Sequence, residues 1–431
     1  MKTLEVSKTC SYGGDYDVVV CGGGPAGVCA AISAAREGAK TLLIERNGEL
    51  GGFWTSGLLT WLADVEGKPG LVKEIVDEMG KGCDGRVEYR DKAYFTADTE
   101  RTKLLFERLC GESGVDVRLY TLVTGVVRDG KRIKAVVTDS KSGAEYFDAK
   151  IVIDATGDGD VGALAGCEFY IGNEDGKTQP MSMIVLIGGV KYEDVENHYA
   201  THPEYTQNTC ILKEFERAGV TPSYARPLLA PVSKENNLFA LMMNHEYGAS
   251  ALDANDLTKS AMHARKEIYS AIEALRKLGG IWKDVHVVTS APNIGVREGR
   301  RIKGKYYITR ENDLAQGKIH EDGVCKVTYN MDIHQYSANS EKEDAEKRHS
   351  IKVYPYEIPL RALISDEVEG LMMAGRCISG DSYSYGNFRV GGNAARTGEA
   401  AGTAAGYSIV HNISVEETAP IIKELLKKHD R

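Results

Sequence analysis

Residues 16–27 read YDVVVCGGGPAG, and this stretch decides the fold. Its first half, residues 16–21, is β-branched and continuously apolar after the acid, which predicts a short buried strand. The strand runs directly into Gly22–Gly27, which fits the pattern G-x-G-x-x-G. An Ala-rich segment follows, with Pro25 near its first turn and Gly38 just past its end, as is typical of a helix. The sequence therefore predicts a strand–turn–helix unit of an α/β fold.

A second strand is predicted over Lys40–Ile44, and it ends at Glu45. An acid about 20 residues after the last glycine holds a ribose hydroxyl in dinucleotide-binding folds. In such a site Gly22 permits the tight turn, Gly24 leaves room for a pyrophosphate, and Gly27 lets helix and strand approach closely. The phosphates lie at the positive end of the helix. Because Glu45 favours an unmodified ribose, FAD or NAD is preferred to NADP.

Arg46 follows the acid, and it either neutralises Glu45 or forms an ion pair at the surface. Shortly afterwards, residues 51–57 read GGFWTSG. This pattern resembles the glutathione-reductase-type flavoproteins, in which an acid ends the second strand and a Gly doublet follows. In that family the doublet lets the chain pass close to the flavin. Strand 150–154 and the segment ATGDGD at 155–160 resemble another element of the same proteins. The resemblance favours FAD over NAD.

The resemblance continues through the second half of the chain. Residues 291–304 read APNIGVREGRRIKG, and they are similar to the Arg-rich signature of the FAD-dependent oxidoreductase family. Segments 332–334, 356–361 and 374–379 match that family in the same order. In the family a final Gly turn and helix complete the flavin site. The chain is therefore identified as a member by motifs that span nearly its whole length.

The carboxy-terminal helix is predicted from Ala394 to about Val410, with Asn393 as its N-cap. Gly398, Gly402 and Gly406 recur every four residues on one face of this helix. Close packing on another backbone and contact with the flavin both explain this stripe.

A β-meander is predicted over residues 116–127 and 133–138. The residues that we expect to contact FAD lie in the glycine-rich turns, at strand ends, in this meander and in the carboxy-terminal return. They are Gly22, Gly24, Pro25, Ala26, Gly27, Glu45, Arg46, Gly51, Gly52, Phe53, Ser56, Gly57, Val123, Ala155, Thr156, Gly157, Gly375, Arg376, Arg389, Gly392 and Asn393. We expect the flavin to be bound non-covalently.

A second match to G-x-G-x-x-G occurs at Gly157–Gly162. Asp158 and Asp160 would place negative charge in a phosphate cradle, and no strand with a terminal acid follows. We therefore expect no second nucleotide domain there.

The predicted fold class is α/β, with a discontinuous Rossmann-like FAD-binding domain and an inserted α+β substrate domain. The FAD-binding domain is assigned to residues 1–167 and 365–431. Residues 168–364 lack a nucleotide motif and are assigned to the substrate domain. Two separate strands are predicted at residues 145–148 and 150–154. The run of mixed charges at residues 341–348 predicts a solvated surface segment.

Four residues are candidates for proton transfer or substrate binding: His334, Arg297, Tyr383 and His245. His334 is equally well explained as a base or as a packing residue, because loop histidines titrate near neutrality. His245 follows an apolar strand, and Tyr383 lies in the predicted loop 381–386, where the commoner family form has a His-Glu pair. Arg297 belongs to a cluster of three arginines that indicates a bound carboxylate or phosphate, carbonyl polarisation, or pairing with Glu298.

The 431 residues include 53 basic and 62 acidic side chains, and the net charge of −9 argues against general binding to nucleic acid. The longest apolar run, Met181–Val190, is about half of the ~20 residues that a membrane span needs. Nine cysteines without C-x-x-C spacing argue against a zinc ribbon or a disulfide framework. We expect a cytoplasmic protein with reduced thiols, no metal, and no nucleic-acid or membrane partner. Whether the protein forms a homo-oligomer is an open question at this point.

The resulting prediction is an FAD-dependent oxidoreductase that transfers a hydride between a small polar organic substrate and flavin N5. Two alternatives stay open: an FAD-binding tRNA-modification enzyme, and a non-redox NAD-binding protein that resembles thiazole-forming enzymes. The substrate, the electron acceptor and the direction of reaction cannot be read from these residues.

Overall fold

The computed structural model describes residues 4, 7–80, 86–89, 92–202, 210–337 and 353–428. Its strands are β1 (Ser11–Cys21), β2 (Thr41–Ile44), β3 (Arg86–Tyr89), β4 (Lys92–Phe95), β5 (Asp116–Arg118), β6 (Leu122–Asp129), β7 (Arg132–Ser140), β8 (Gly143–Asp154), β9 (Phe169–Tyr170), β10 (Ile184–Gly188), β11 (Leu228–Ser233), β12 (Leu238–Met242), β13 (His286–Ser290), β14 (Arg301–Ile302), β15 (Gly323–Val327), β16 (Tyr356–Pro359) and β17 (Leu371–Met373). Its α-helices are α1 (Pro25–Arg36), α2 (Leu71–Gly80), α3 (Thr99–Glu112), α4 (Asp160–Leu164), α5 (Tyr192–Ala200), α6 (Cys210–Arg217), α7 (Ala254–Leu278), α8 (Ser382–Phe388), α9 (Gly391–His411) and α10 (Ile422–Lys428). The charge run 341–348 and Cys83 lie outside the described residues.

The main sheet has the strand order β5-β2-β1-β8-β7-β6, and β17 also pairs with β8. Strands β5, β2, β1, β8 and β17 are joined by parallel pairings, whereas β6, β7 and β8 pair antiparallel. The β-branched run of β1 is fully buried, as expected for a strand covered on both faces. An α/β Rossmann-like unit, as the sequence predicted, is therefore present.

Four parallel strands end at the same edge of this sheet. Cys21 lies opposite Ile44 in β2 and opposite Asp154 in β8, and Met373 of β17 also lies opposite Asp154. The residues that follow these strands therefore meet at one edge. Ligands of open α/β sheets bind at this carboxyl edge.

Strand β8 is longer than the sequence predicted. The two separate strands expected at 145–148 and 150–154 form one continuous strand from Gly143 to Asp154. Its first half pairs with β7, while its last residues pair with β17, so the same strand serves both the parallel and the antiparallel part.

The carboxy-terminal return also differs in detail from the prediction. Helix α9 begins at Gly391, and Val390 is its N-cap, so the prediction of Asn393 as N-cap was wrong. Asn393 is buried within the first turn, where its side-chain amide donates to the carbonyl of Asn387 at 3.0 Å. The predicted loop 381–386 is mostly helical, because Asp381 caps α8 by accepting from two backbone amides.

Helix α9 packs against helix α1 along its glycine stripe. A Cβ on Gly398 would lie closer than 3.0 Å to the carbonyl oxygen of Ala26, and one on Gly402 would do the same to Ala30. Gly406 repeats the relationship one turn later. Of the two explanations for the stripe, close helix packing is the one that these distances support.

A second, antiparallel sheet has the strand order β11-β12-β10-β13. With helices α5 to α7 it encloses a separate apolar cluster, whose largest buried members are Phe215, Phe239 and Trp282. Apart from Leu58, the buried residues of this cluster come from positions 183–291, while residues between 302 and 364 contribute to the core of the main sheet. The assignment of 168–364 as one inserted domain stays a prediction.

The eight described cysteines form no disulfide, and all except Cys10 are buried. Burial raises the pKa of the Cys21, Cys29 and Cys377 thiols well above its usual value. Among the described helices, none combines the length and the apolar character that crossing a bilayer requires.

Candidate functional site

A cavity of about 550 Å³ lies along the carboxyl edge of the main sheet. At one end its wall includes Gly22, Glu45 and Thr156, which follow β1, β2 and β8. At the other end the wall includes Ile184, Leu228 and Met242 of the second sheet. The amino-terminal ends of α1 and α9 both reach the cavity, because Pro25 and Gly391 line it.

The turn after β1 has the shape of a phosphate cradle. A Cβ on Gly27 would overlap the carbonyl oxygen of Gly22, so this close approach requires glycine. Gly24 lines the cavity, and a Cβ there would meet no atom within 4 Å. Gly24 is also the N-cap of α1 and offers no side-chain cap. The first amides of α1 are thus available to an anion.

Glu45 is buried and ties this turn to its own strand. Its Oε2 accepts from the amide of Gly23 at 2.6 Å, and its Oε1 accepts from the backbone and side-chain amides of Asn47, both at 2.7 Å. Glu45 also lines the cavity, as does the adjacent Arg46. Oε2 accepts only one amide, so it keeps a lone pair that can accept a ribose hydroxyl.

The second glycine-rich segment packs on the first. The amide of Gly51 donates to the carbonyl of Gly23 at 2.8 Å, and a Cβ on Gly52 would lie 2.9 Å from Cα of Gly24. The residues Trp54 and Ser56 line the cavity. The atoms Trp54 Nε1 and Ser56 Oγ are buried and have no hydrogen-bond partner in the described part of the chain. Buried polar atoms normally have a partner, so two hydrogen-bonding groups of this segment are left unsatisfied within the described residues.

The loop after β8 is held by Asp154 and by Arg376. Asp154 accepts from the amide and hydroxyl of Thr156 at 3.1 and 2.7 Å and from the amide of Gly162 at 2.9 Å. Burial raises the pKa of Asp154 to about 6. Arg376 donates to the carbonyl of Gly157 at 2.8 Å and to Asp158 at 2.6 Å. Ala155, Thr156 and Gly157 thereby line the cavity.

Arg376 also donates to the carbonyl of Val296, so it connects three segments that are far apart in sequence. The second glycine pattern, 157–162, leads into the short helix α4, and its acids Asp158 and Asp160 pair with Arg376 and Arg300.

Of the three clustered arginines, only Arg297 lines the cavity. Its Nη1 donates to the carbonyl of Pro180 at 2.6 Å and to the hydroxyl of Ser182 at 2.7 Å. Burial, and then the charge of Arg389, lower the pKa of Arg297 to about 10. The predicted pairing with Glu298 is instead made by Arg301 at 2.7 Å.

His334 and Asp332 face the same part of the cavity. His334 Nε2 lies 3.5 Å from Asp332 Oδ1, and the other carboxylate oxygen accepts from Arg389 at 2.9 Å. The ring of His245 lies 5.0 Å from that of His334, and its Nδ1 lies 3.0 Å from the Tyr247 hydroxyl. His334 is therefore the histidine at the cavity wall.

The other predicted site residues divide by position. The cavity is also lined by Ala26, Phe53, Gly57, Gly375 and Arg389. The residues that do not line it are Gly27, Gly51, Val123, Gly392, Asn393, His245 and Tyr383. The Tyr383 ring instead packs under Arg310, whose guanidinium carbon lies 4.4 Å from the ring centroid.

Sequence reasoning missed the wall that the second sheet supplies. This wall includes Ser182, Ile184, Leu228, Met242 and Tyr224. Met242 lies opposite both Ile184 and Leu228, so these three side chains form one row on one face of the sheet. Short apolar strands of this kind read as ordinary core, and no local signal distinguishes them.

Glu246, His263 and Glu267 form a cluster away from the cavity, with ligand-type atoms within 4.8 Å of one another. Glu246 pairs with His263 at 3.0 Å, and Glu267 accepts from the amide and hydroxyl of Ser223. The protein groups already satisfy these carboxylates, and the absence of a metal stays a prediction.

Comparison with known proteins shows that the chain matches a protein family. The model for FAD dependent oxidoreductases matches residues 17–428. The digeranylgeranylglycerophospholipid reductase of Picrophilus torridus is 31% identical over 172 residues, which cover 36% of this chain and 43% of that protein. The thiamine thiazole synthase of Methanococcus vannielii is 32% identical over 154 residues, covering 33% of this chain and 56% of that protein. The matches thus span about half of the curated relatives' lengths.

Two further similarities are to a tRNA-modifying enzyme and to a solved structure. The tRNA uridine 5-carboxymethylaminomethyl modification enzyme of Geobacillus thermodenitrificans is 32% identical over 163 residues, covering 34% of this chain and 24% of that enzyme. The solved structure of the flavin-dependent brominase Bmp2 has a TM-score of 0.50 at 13% identity, covering 96% of this chain and 84% of that one. At this identity the likeness concerns the fold alone.

Proposed function

The chain belongs to the FAD-dependent oxidoreductase family, and we propose that it transfers a hydride between a small polar organic substrate and N5 of a bound flavin. The observation that carries this proposal is the single cavity that runs from the glycine turn of Gly22–Gly27 to Arg297 and His334. One end has the groups that suit a dinucleotide, and the other has a base and a cation.

The residues at the first end fit FAD. The amides at the start of α1 would hold its pyrophosphate, Glu45 would hold its ribose hydroxyls, and Gly24 leaves the space that they need. Trp54 Nε1 and Ser56 Oγ are two further polar groups that a bound flavin nucleotide could satisfy.

When bound, FAD supplies a hydride acceptor or donor at its N5 atom. The protein's part is to position the substrate and to stabilise charge. The amino-terminal end of α9 reaches the cavity, and its positive dipole end stabilises negative charge there. His334, with its Nε2 near Asp332, is placed to hold or accept a proton from the substrate.

The purified protein provides the first test. We expect a yellow protein that absorbs at about 450 nm. Because we expect the flavin to be bound non-covalently, acid precipitation should release the colour into the supernatant. Colour that stays with the precipitate would contradict non-covalent binding. The functional test is anaerobic mixing with a panel of small polar metabolites, in which a substrate bleaches the flavin.

The same preparation separates the two alternatives. A colourless protein that cannot be reconstituted with FAD but binds NAD would favour the function named for the thiamine thiazole synthase relative. Salt-dependent retention of tRNA would favour the function named for the tRNA-modifying relative, although the net charge of −9 opposes it.

A further inference from the structure

The far end of the cavity holds a buried positive charge, Arg297, that no described acidic side chain pairs with directly, although the charge of Asp332 acts on it from nearby. Arg297 is only 8% exposed. Its Nη1 donates to a carbonyl and a hydroxyl, and its Nη2 has the sulfur of Met242 at 3.7 Å as partner. None of these partners carries a charge. The nearby Arg389, in contrast, is compensated by Asp332 at 2.9 Å.

Burial of an unpaired charge is costly, because water is lost and no opposite charge replaces it. The lowered pKa of Arg297 reflects this cost. Because Arg297 lines the cavity, an anion that enters the cavity can supply the missing charge. Arg297 is the one buried arginine of the described cavity wall without an acidic partner, and the other arginines there without one, Arg46 and Arg226, are exposed to water. One buried cation suits a monoanion, whereas a phosphate monoester carries up to about two charges at pH 7.

An apolar surface lies beside this charge. Ile184, Met242 and Leu228 lie opposite one another on three adjacent strands, and all three line the cavity. Since the guanidinium of Arg297 contacts Met242, the charge lies beside the middle member of this row. A ligand that satisfies both features has an anionic head and an apolar body.

We propose that the substrate is a carboxylic acid with an apolar body, whose carboxylate binds Arg297 and whose body packs on the row Ile184–Met242–Leu228. This inference rests on the proposed function, because it names the substrate class of the same site. In this proposal Arg297 binds the substrate, and His334 transfers the proton.

The test measures binding to the FAD-loaded protein by calorimetry and by the flavin difference spectrum. The probes are unbranched acids of two to eight carbons, each compared with its neutral amide, together with hexylphosphonate. We expect hexanoate or octanoate to bind at least tenfold more tightly than its amide. We expect Arg297→Gln to keep FAD and to reduce that preference to less than threefold.

Two controls separate a binding role from a structural role. Arg276→Gln changes a partly exposed arginine of helix α7 that does not line the cavity, and it should leave the preference unchanged. Arg297→Lys keeps the charge, and it should keep part of the preference. The comparison of acid with amide in the unmodified protein needs no variant, so it stands even where Arg297→Gln fails to fold.

Three results would overturn the inference. They are acids that bind no better than their amides across the whole series, hexylphosphonate that binds more tightly than hexanoate, and Arg297→Gln protein that loses FAD. Failure of the proposed function looks different: the acid preference persists, but neither the metabolite panel nor a series of carboxylic acids with apolar bodies reduces the flavin.

Discussion

Gly398 packs directly on Ala26, so that a Cβ at Gly398 would lie closer than 3.0 Å to the carbonyl oxygen, the carbonyl carbon and Cα of Ala26. These atoms belong to backbone and cannot move away as a flexible side chain can. The relationship joins α9 to the first helix of the nucleotide-binding unit. It also offsets the cost of roughly 1 kcal/mol that a glycine adds to a helix interior.

Gly398→Ala should therefore destabilise the protein, even though alanine is the better helix former. We expect a loss of about 2 kcal/mol or more in the free energy of unfolding, because the helices must separate to admit the methyl group. Denaturant titration measures it. Gly111→Ala is the matched control, since a Cβ at that helical glycine meets no atom within 4 Å and the change should be neutral or stabilising. Equal effects of the two substitutions would contradict the packing argument.

Substitutions in the first glycine turn should separate FAD binding from folding. Gly24→Val points its side chain into open cavity space, and the backbone at Gly24 has an ordinary φ of −70°. We expect the melting temperature of the FAD-free protein to change little, while FAD binding weakens at least about tenfold, or about 1.4 kcal/mol. Fluorescence titration with FAD measures the affinity.

Gly27→Ala is the opposite case in the same turn. Its methyl group would overlap the carbonyl oxygen of Gly22, so we expect a folding defect of about 3 kcal/mol or more with or without FAD. A Gly24→Val protein that binds FAD normally would show that the cavity beside Gly24 does not hold the nucleotide.

His334→Ala should keep FAD and lose turnover. Proton transfer by a positioned side chain contributes about 10²- to 10⁴-fold to a rate, so we expect kcat/KM to fall by at least about 100-fold. The flavin absorbance reports retention, and steady-state kinetics with the substrate found by bleaching report turnover. His286→Ala is the control, because His286 is exposed and its Nδ1 contacts only the carbonyl of Asp284 among the described partners. An unchanged kcat/KM in His334→Ala would remove the proposed base.

The pair of His263 and Glu246 predicts a pH effect. The hydrogen bond and charge of Glu246 hold the pKa of His263 above 6.5. A raised pKa stabilises the folded state below pH 6.5, and this contribution disappears as the pH rises through the folded-state pKa. Because His263 is largely exposed, we expect this contribution to be only about 0.5 kcal/mol. Histidine NMR should show the pKa return toward 6.5 in Glu246→Gln, and no shift in that variant would refute the pairing.

Half of the candidate site could be predicted from the sequence because its residues follow strand ends in contiguous motifs. Gly22, Glu45 and Thr156 each come directly after a parallel strand or within two residues of it, and parallel strands bring their carboxyl ends to one edge. Tertiary packing was not needed to place them together.

The other half depends on contacts that no short segment encodes. The row of Ile184, Met242 and Leu228 exists only once three antiparallel strands adopt their register. Asn393 looked like a helix cap because its residue type favours that position, but its burial and its bond to Asn387 place it inside the helix. Likewise, the sequence could not tell that Arg301 pairs with Glu298 whereas Arg297 faces the cavity.

The cavity takes its walls from α1, which begins at Pro25, and from α9, which begins at Gly391. Strand β17, at residues 371–373, also enters the sheet beside β8. During synthesis on the ribosome, more than 360 further residues must therefore be added after the first nucleotide-binding turn before the site is closed. We therefore expect capture of the cofactor to be a late event in synthesis, because the cavity that would hold it is incomplete until α9 has formed.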